Sequence, residues 1–86
     1  MMPYQVIWSP NALLQLAAMW NLATSPVRLE ITRVQHRIDQ ALAHDPKSAG
    51  LELSEGLWKI HDPPLLAFYE INDVHRILRV TDIFVY

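Results

Sequence analysis

The chain has 86 residues, 51% of them apolar, with seven Lys/Arg against nine Asp/Glu for a net charge of −2 when histidine is neutral. That length bounds one domain with a single modest core, and the acidic balance counts against a generic nucleic-acid binder, which carries a basic excess. The absence of cysteine excludes disulfides and thiolate metal sites. No basic segment followed by an apolar run opens the sequence, so no signal peptide is expected. No apolar run approaches the ~18 residues of a membrane span, and a cytoplasmic protein is the default expectation.

Met1 and Met2 are expected to fray. Tyr4-Gln5-Val6-Ile7-Trp8 is rich in β-formers and alternates loosely, which predicts a strand. Ser9-Pro10 reads as a helix start, because serine is a good N-cap and proline suits the first helical position. A helix is expected over Pro10 to Leu22, with Leu13, Leu16, Ala17 and Trp20 on one stripe. The punctuation repeats at Ser25-Pro26. A second helix follows to about Ala43, with Val27, Ile31, Val34, Ile38 and Leu42 as its apolar stripe. The short link at Asn21 to Thr24 implies an antiparallel helix hairpin.

Asp45-Pro46 ends the second helix, since proline disfavours helix in the residue before it. Lys47 to Gly50 is expected as a loop, Leu51-Glu52-Leu53 as a briefly paired extended segment, and Ser54-Glu55-Gly56 as a turn. From Leu57 to Tyr86 the sequence reads as three successive strands, separated by turns at Asp62-Pro63-Pro64 and Asn72-Asp73. The order is β-α-α-β-β-β over residues 1–86. This predicts an α+β domain with a helix hairpin packed on one face of a small, twisted, mainly antiparallel sheet.

Any chemistry then belongs on the other face. Period-two alternation places Trp58 and Ile60 against the helices and leaves Lys59 and His61 open. It does not sort Leu65 to Ile71, where both Leu65/Ala67/Tyr69/Ile71 and Leu66/Phe68/Glu70 are largely apolar. If Leu66 and Phe68 face out, they form an apolar patch of the kind that marks a protein partner. In the long last strand a bulge would switch the faces partway along. Arg76 and Arg79, near its start, either pair with Asp73 or Glu70 or contact a phosphate or an acidic partner.

The opening Tyr4-x-Val6-x-Trp8-Ser9-Pro10-x-Ala12-x-x-x-Leu16 resembles the start of RelE/ParE-type toxins of bacterial toxin–antitoxin pairs. So do Gly56-Leu57-Trp58-Lys59-Ile60, Phe68-Tyr69-Glu70-Ile71 and a strand ending in Val85-Tyr86, in the same order over nearly the whole chain. The resemblance implies a small antitoxin partner that wraps the domain with a helix and an extended segment. It also implies one of two activities, ribosome-dependent mRNA cleavage without metal or cofactor, or inhibition of DNA gyrase. Nuclease members usually have arginine at Lys59 and a basic residue at His61, which are plausible replacements here. They also usually have arginine at Leu66 and a His-Arg-like pair near Thr81 and Asp82, and they are strongly basic. Only Tyr86 stands in place near the C-terminus.

Cleavage by 2′-OH attack needs a base, an acid, and cations for the charged phosphorane. His61 as base or acid, Lys59 and Arg79 as charge stabilisers, and Tyr86 as base stacker or proton donor are the candidate catalytic set. Leu66, Phe68 and Arg76 are the candidate partner-binding set. The apolar Leu66 and acidic Asp82 incline the reading towards a non-nuclease toxin, with a non-toxic interaction module of the same fold as the alternative. Other chemistries find no support. The basic-polar helix face of Arg33, Gln35, His36, Arg37 and Gln40 reads as solvated. His36 and His44 have no second pair for a metal. Ser54, His61 and Asp62 lack a nucleophile turn, and two glycines supply no phosphate loop.

Overall fold

Among the described residues eight elements follow one another: β1 (Gln5–Trp8), α1 (Pro10–Leu22), α2 (Ser25–His44), α3 (Pro46–Ala49), β2 (Leu51–Ser54), β3 (Leu57–Asp62), β4 (Leu65–Asn72) and β5 (Ile77–Val85). The structure, a computed structural model, describes residues 3–86, so the expectation that Met1 and Met2 fray falls outside the described residues. The five strands form one sheet in the order β1-β5-β4-β3-β2. β1 runs parallel to β5 and every other pairing is antiparallel. The α+β architecture, with a helix pair on a mainly antiparallel sheet, is the one expected.

Both proline-marked helices form, but the second is not capped by serine: its N-cap is Thr24, without a side-chain cap bond, and Ser25 is its first helical residue. The Ser9 hydroxyl accepts a hydrogen bond from the Ala12 N–H at 3.0 Å, with Pro10 at the first helical turn. At the other end of α1, Arg28 acts as a cap supplied by the next helix. Its Nε donates to the Trp20 carbonyl at 2.8 Å, and its guanidinium lies 4.2 Å over the Trp20 ring. In α2, Ile31, Val34, Ile38 and Leu42 are buried as the periodicity predicts, while Val27 is exposed.

The stripe read on α1 needs correction. The buried residue of α1 is Ala12, with Leu16 and Met19 partly buried against the core. Leu13, Ala17 and Trp20 are exposed. The stripe Leu13, Leu16, Ala17 and Trp20 lines a groove of about 310 Å³ against Ile31, Thr32 and Gln35 of α2. Because α1 is apolar nearly all round, periodicity does not show which side meets the sheet.

Between α2 and the sheet, the expected loop is a turn of helix. Asp45 accepts the Ser48 N–H at 3.3 Å, and Pro46 is buried. Tyr69 explains the arrangement, because its hydroxyl donates to the Pro46 carbonyl at 2.6 Å from inside the core. Gly50 lies against the same hydroxyl. Burial pushes the Tyr69 phenol up to about 12. A folded-state value above the unfolded one of about 10 means the unfolded chain binds fewer protons between the two. Stability from this group is therefore full below pH ~10 and falls as pH rises towards about 12, by roughly 2–3 kcal/mol. Chemical denaturation across that range should show the decline, and Tyr69→Phe should lack this share of it.

The second sheet turn is longer than the expected Asn72-Asp73. It spans residues 73–76 and closes with Arg76 at φ 53, and β5 starts at Ile77. Asp73 ties this turn to two other elements, accepting from Tyr4 Oη at 2.6 Å and Lys47 Nζ at 2.8 Å. The Lys47 bond first, then the Tyr4 bond, hold its carboxyl below the usual carboxylate range.

A bulge in β5 fixes the faces of the sheet. Tyr69 pairs with Val80 and Phe68 with Asp82, leaving Thr81 as the extra residue. Leu78 and Val80 are buried before the bulge and Ile83 after it, although Ile83 is out of step with them by period two. On the edge of β5 beyond the end of β1, side chains of α1 replace a neighbouring strand. Gln15 Oε1 accepts the Ile83 N–H at 2.8 Å and Asn11 Nδ2 donates to the Thr81 carbonyl at 3.2 Å.

Candidate functional site: the open face of the sheet

With Leu65, Ala67 and Tyr69 fully buried, β4 turns Leu66, Phe68 and Glu70 to the face opposite the helices. Lys59 and His61 join them from β3. From β5 come Arg79 before the bulge and Asp82 and Phe84 after it. Strand register sorts these residues into cross-strand rows. The first row is His61, Leu66 and Phe84. The second is Lys59, Phe68 and Asp82. The third is Leu57, Glu70 and Arg79, continued by Ile7 of β1.

Each row has a distinct character. In the first, Tyr86 closes the end: His61 Nε2 lies 3.1 Å from the Tyr86 backbone oxygen, and the two rings meet edge to face at 5.4 Å. A proton on Nε2 donates to that oxygen, which leaves Nδ1 of the neutral ring as the nitrogen able to take a proton. In the second row, half-buried Lys59 and Phe68 lie side by side, and the Phe68 ring meets Phe84 edge to face at 6.0 Å. Asp82 is drawn to the sheet edge, where Asn11 Nδ2 donates to it at 2.9 Å and Gln15 Nε2 at 3.4 Å. In the third row Glu70 and Arg79 are direct cross-strand partners of opposite charge.

The candidate catalytic residues therefore fall into two groups. His61 and Tyr86 are in contact, and Lys59 stands two residues along the same strand from His61. Arg79 is two strands away from both. With strands ~4.8 Å apart and ~3.4 Å per residue, its Cα lies about 12 Å from that of Lys59 and about 17 Å from that of His61. Of the candidate partner-binding residues, Leu66 and Phe68 sit at the centre of the face. Arg76 sits in the turn beyond it, its guanidinium 4.1 Å over the Tyr4 ring. Phe84 completes the centre and is not signalled by the sequence as a site residue, while Asp82, marked there as an acidic departure from the nuclease pattern, stands at its edge. The possible bulge signalled that their face was open to question, but nothing in the residue types located it.

Beside the first row, the Arg37 guanidinium grips Asp62 at the end of β3 with two bonds of 2.6 and 2.7 Å. The hydrogen bond from Arg37 holds the Asp62 carboxyl below its ordinary range. An arginine from the helix face read as solvated thus anchors the strand that carries Lys59 and His61. No cluster of three or more metal-ligating side chains occurs among the described residues. None of the described helices is long and apolar enough to cross a membrane.

No family model matches the sequence, and no curated protein is significantly similar to it. Solved structures do match over the full length. The chain superposes on the RelBE2 toxin–antitoxin complex of Mycobacterium tuberculosis with a TM-score of 0.80 and 18% identity, covering 100% of this chain and 94% of that one. The intact E. coli RelBE complex matches with a TM-score of 0.63 at 17% identity over 96% of both chains. The isolated E. coli RelE toxin matches with a TM-score of 0.62 at 16% identity, over 95% of this chain and 83% of that one. The chain thus has the fold of RelE toxins.

Proposed function

We propose that this protein is the toxin of a type II toxin–antitoxin pair, held inactive by a cognate antitoxin and arresting growth when released. Support for the toxin reading comes from the full-length likeness of fold to toxins solved with their antitoxins, together with the sequence pieces that resemble the RelE/ParE family. For the mode of action, the composition of the open face favours a protein target, as in gyrase inhibition, over RNA. Its middle row runs Lys59, Phe68, Asp82, and its next row sets Glu70 against Arg79. A surface for a polyanion gathers cations and excludes carboxylates, whereas an apolar centre rimmed by charges of both signs suits a protein. The second reading, mRNA cleavage, rests on the contact between His61 and Tyr86 with Lys59 nearby.

Expression of the chain alone in a bacterium separates these readings. Arrest with altered DNA supercoiling and intact mRNA is the expected result. His61→Ala and Tyr86→Phe should then leave arrest unchanged. New mRNA ends at codon positions, abolished by those two substitutions, would select the nuclease. Unimpaired growth with folded protein would leave the non-toxic interaction module.

A further inference from the structure

On the open face and around it, carboxylates stand against cations of the chain itself. Glu30 meets Arg33, Asp62 meets Arg37 and Asp73 meets Lys47, and Glu70 faces Arg79 across the strands. Asp82 is built differently. It is half-buried, and no cation pairs with it among the described residues. Its Oδ1 accepts from two neutral amides, Asn11 Nδ2 at 2.9 Å and Gln15 Nε2 at 3.4 Å. No described residue donates to its Oδ2.

The two amides are themselves fixed. Gln15 Oε1 accepts the Ile83 N–H at 2.8 Å, and Asn11 Nδ2 also donates to the Thr81 carbonyl at 3.2 Å. Ser9 Oγ donates to that same carbonyl at 3.1 Å while it caps α1 through the Ala12 N–H. The start of α1 is thereby tied to the bulge that turns Asp82 and Phe84 outward. Neutral donors orient a carboxylate without cancelling its charge. Asp82 has thus given up its side-chain freedom before any partner arrives, which removes a cost that a mobile surface ion pays on pairing. Its surroundings choose among cations. Asp82 lies across the strands from Phe68, whose ring meets Phe84 edge to face at 6.0 Å. A planar guanidinium stacks on an aromatic face while donating to a carboxylate, whereas a strongly hydrated ammonium suits an apolar neighbour less well.

We propose that Asp82 is the recognition point for an arginine of the protein bound on the open face, with Asn11 and Gln15 as its positioning residues. The proposal rests on the reading of that face as a protein surface and goes beyond it by naming what the partner must present.

Random peptides displayed on phage and selected on the folded chain provide the test. Those whose binding is lost with Leu66→Thr and Phe68→Thr together define the open-face set, and each should carry an arginine. Asp82→Asn keeps the size of the side chain and the oxygen that accepts from Asn11, and should weaken these peptides about 10–100-fold. Replacing the peptide's arginine by glutamine leaves the protein untouched and should cost the same. The two changes together should cost no more than either alone. Asn11→Ala should weaken binding about 3–10-fold, since the Thr81 carbonyl keeps its bond from Ser9. It should have no effect in the Asp82→Asn background, whereas a purely structural role would act in both. Open-face peptides that lack arginine, or that are indifferent to Asp82→Asn, overturn the proposal and leave the protein surface standing. Additive losses from Asp82→Asn and the peptide change overturn it too. A selection in which no peptide responds to the threonine pair overturns both the proposal and the reading beneath it.

Discussion

Gly50→Ala should lower the unfolding free energy by about 4 kcal/mol, a combination of overpacking and a lost buried hydrogen bond. A Cβ at this position would fall on the Tyr69 hydroxyl, 2.8 Å from Cζ of the ring and 2.6 Å from the Lys59 carbonyl oxygen. Tyr69 is fully buried and held by Pro46, and Lys59 O is backbone in the sheet, so neither yields easily. Domains of this size have only about 0.05–0.15 kcal/mol per residue to lose. Equilibrium denaturation in urea should therefore show a large fall in midpoint with little change in slope. Tyr69→Phe by itself should cost about 1–2 kcal/mol, because the Pro46 carbonyl loses its partner. Combined with Gly50→Ala it should cost less than the sum, since the nearest obstacle to the new methyl is then absent. Gly56→Ala is the control. Gly56 has φ 79 and open space around it, so only the backbone strain of about 1 kcal/mol applies. A Gly50→Ala protein as stable as Gly56→Ala would show that the Tyr69–Pro46 contact is not tight in solution.

Where a residue pattern had one physical solution, it was legible in the sequence. Ser9-Pro10 marks a helix start because capping and proline geometry are local, Pro26 marks the second by proline geometry alone, and the α2 stripe from Ile31 to Leu42 has one apolar side to bury. Lys59 and His61 face out because Trp58 and Ile60 leave no competitor for the inside. Where two solutions were chemically equal, the sequence was silent. β4 is apolar on both faces, and only tertiary packing places Tyr69 inward, where its hydroxyl finds Pro46. The bulge at Thr81 is not written in residue types, yet it moves Asp82 and Phe84 onto the same face as Arg79. Helix α1 is apolar nearly all round apart from Asn11 and Gln15, which turn to the edge of β5, so periodicity does not show that most of its stripe lies outward. The groups Arg28–Trp20 and Arg37–Asp62 join elements far apart in the chain, and no local pattern signals them. For the site, sequence supplied Lys59, His61, Leu66, Phe68 and Tyr86 as candidates, while register alone separates Arg79 from them.

Replacing the greasy centre of the open face should be the most damaging change to function. With Leu66→Thr and Phe68→Thr together, affinity for a protein bound there should fall by two to three orders of magnitude, about 3–4 kcal/mol. Threonine keeps the strand preference of the site, and both residues are only half-buried, so the fold should survive. What disappears is the contact of Phe68 with Phe84 and the apolar surface that a partner would dehydrate. Growth arrest on expression is the first readout, and unfolding by urea is the check that the double variant is folded. The comparison with Lys59→Ala decides the chemistry. A nuclease depends on the cation at Lys59 and tolerates loss of an apolar neighbour better, because the charge on the phosphorane is what must be met. A protein interface depends on its buried aromatic centre and tolerates loss of a rim charge. Arrest that survives Lys59→Ala but not the threonine pair is the outcome the geometry favours. The reverse order, strong loss with Lys59→Ala and little with the threonine pair, would show that the charges rather than the apolar centre make the site.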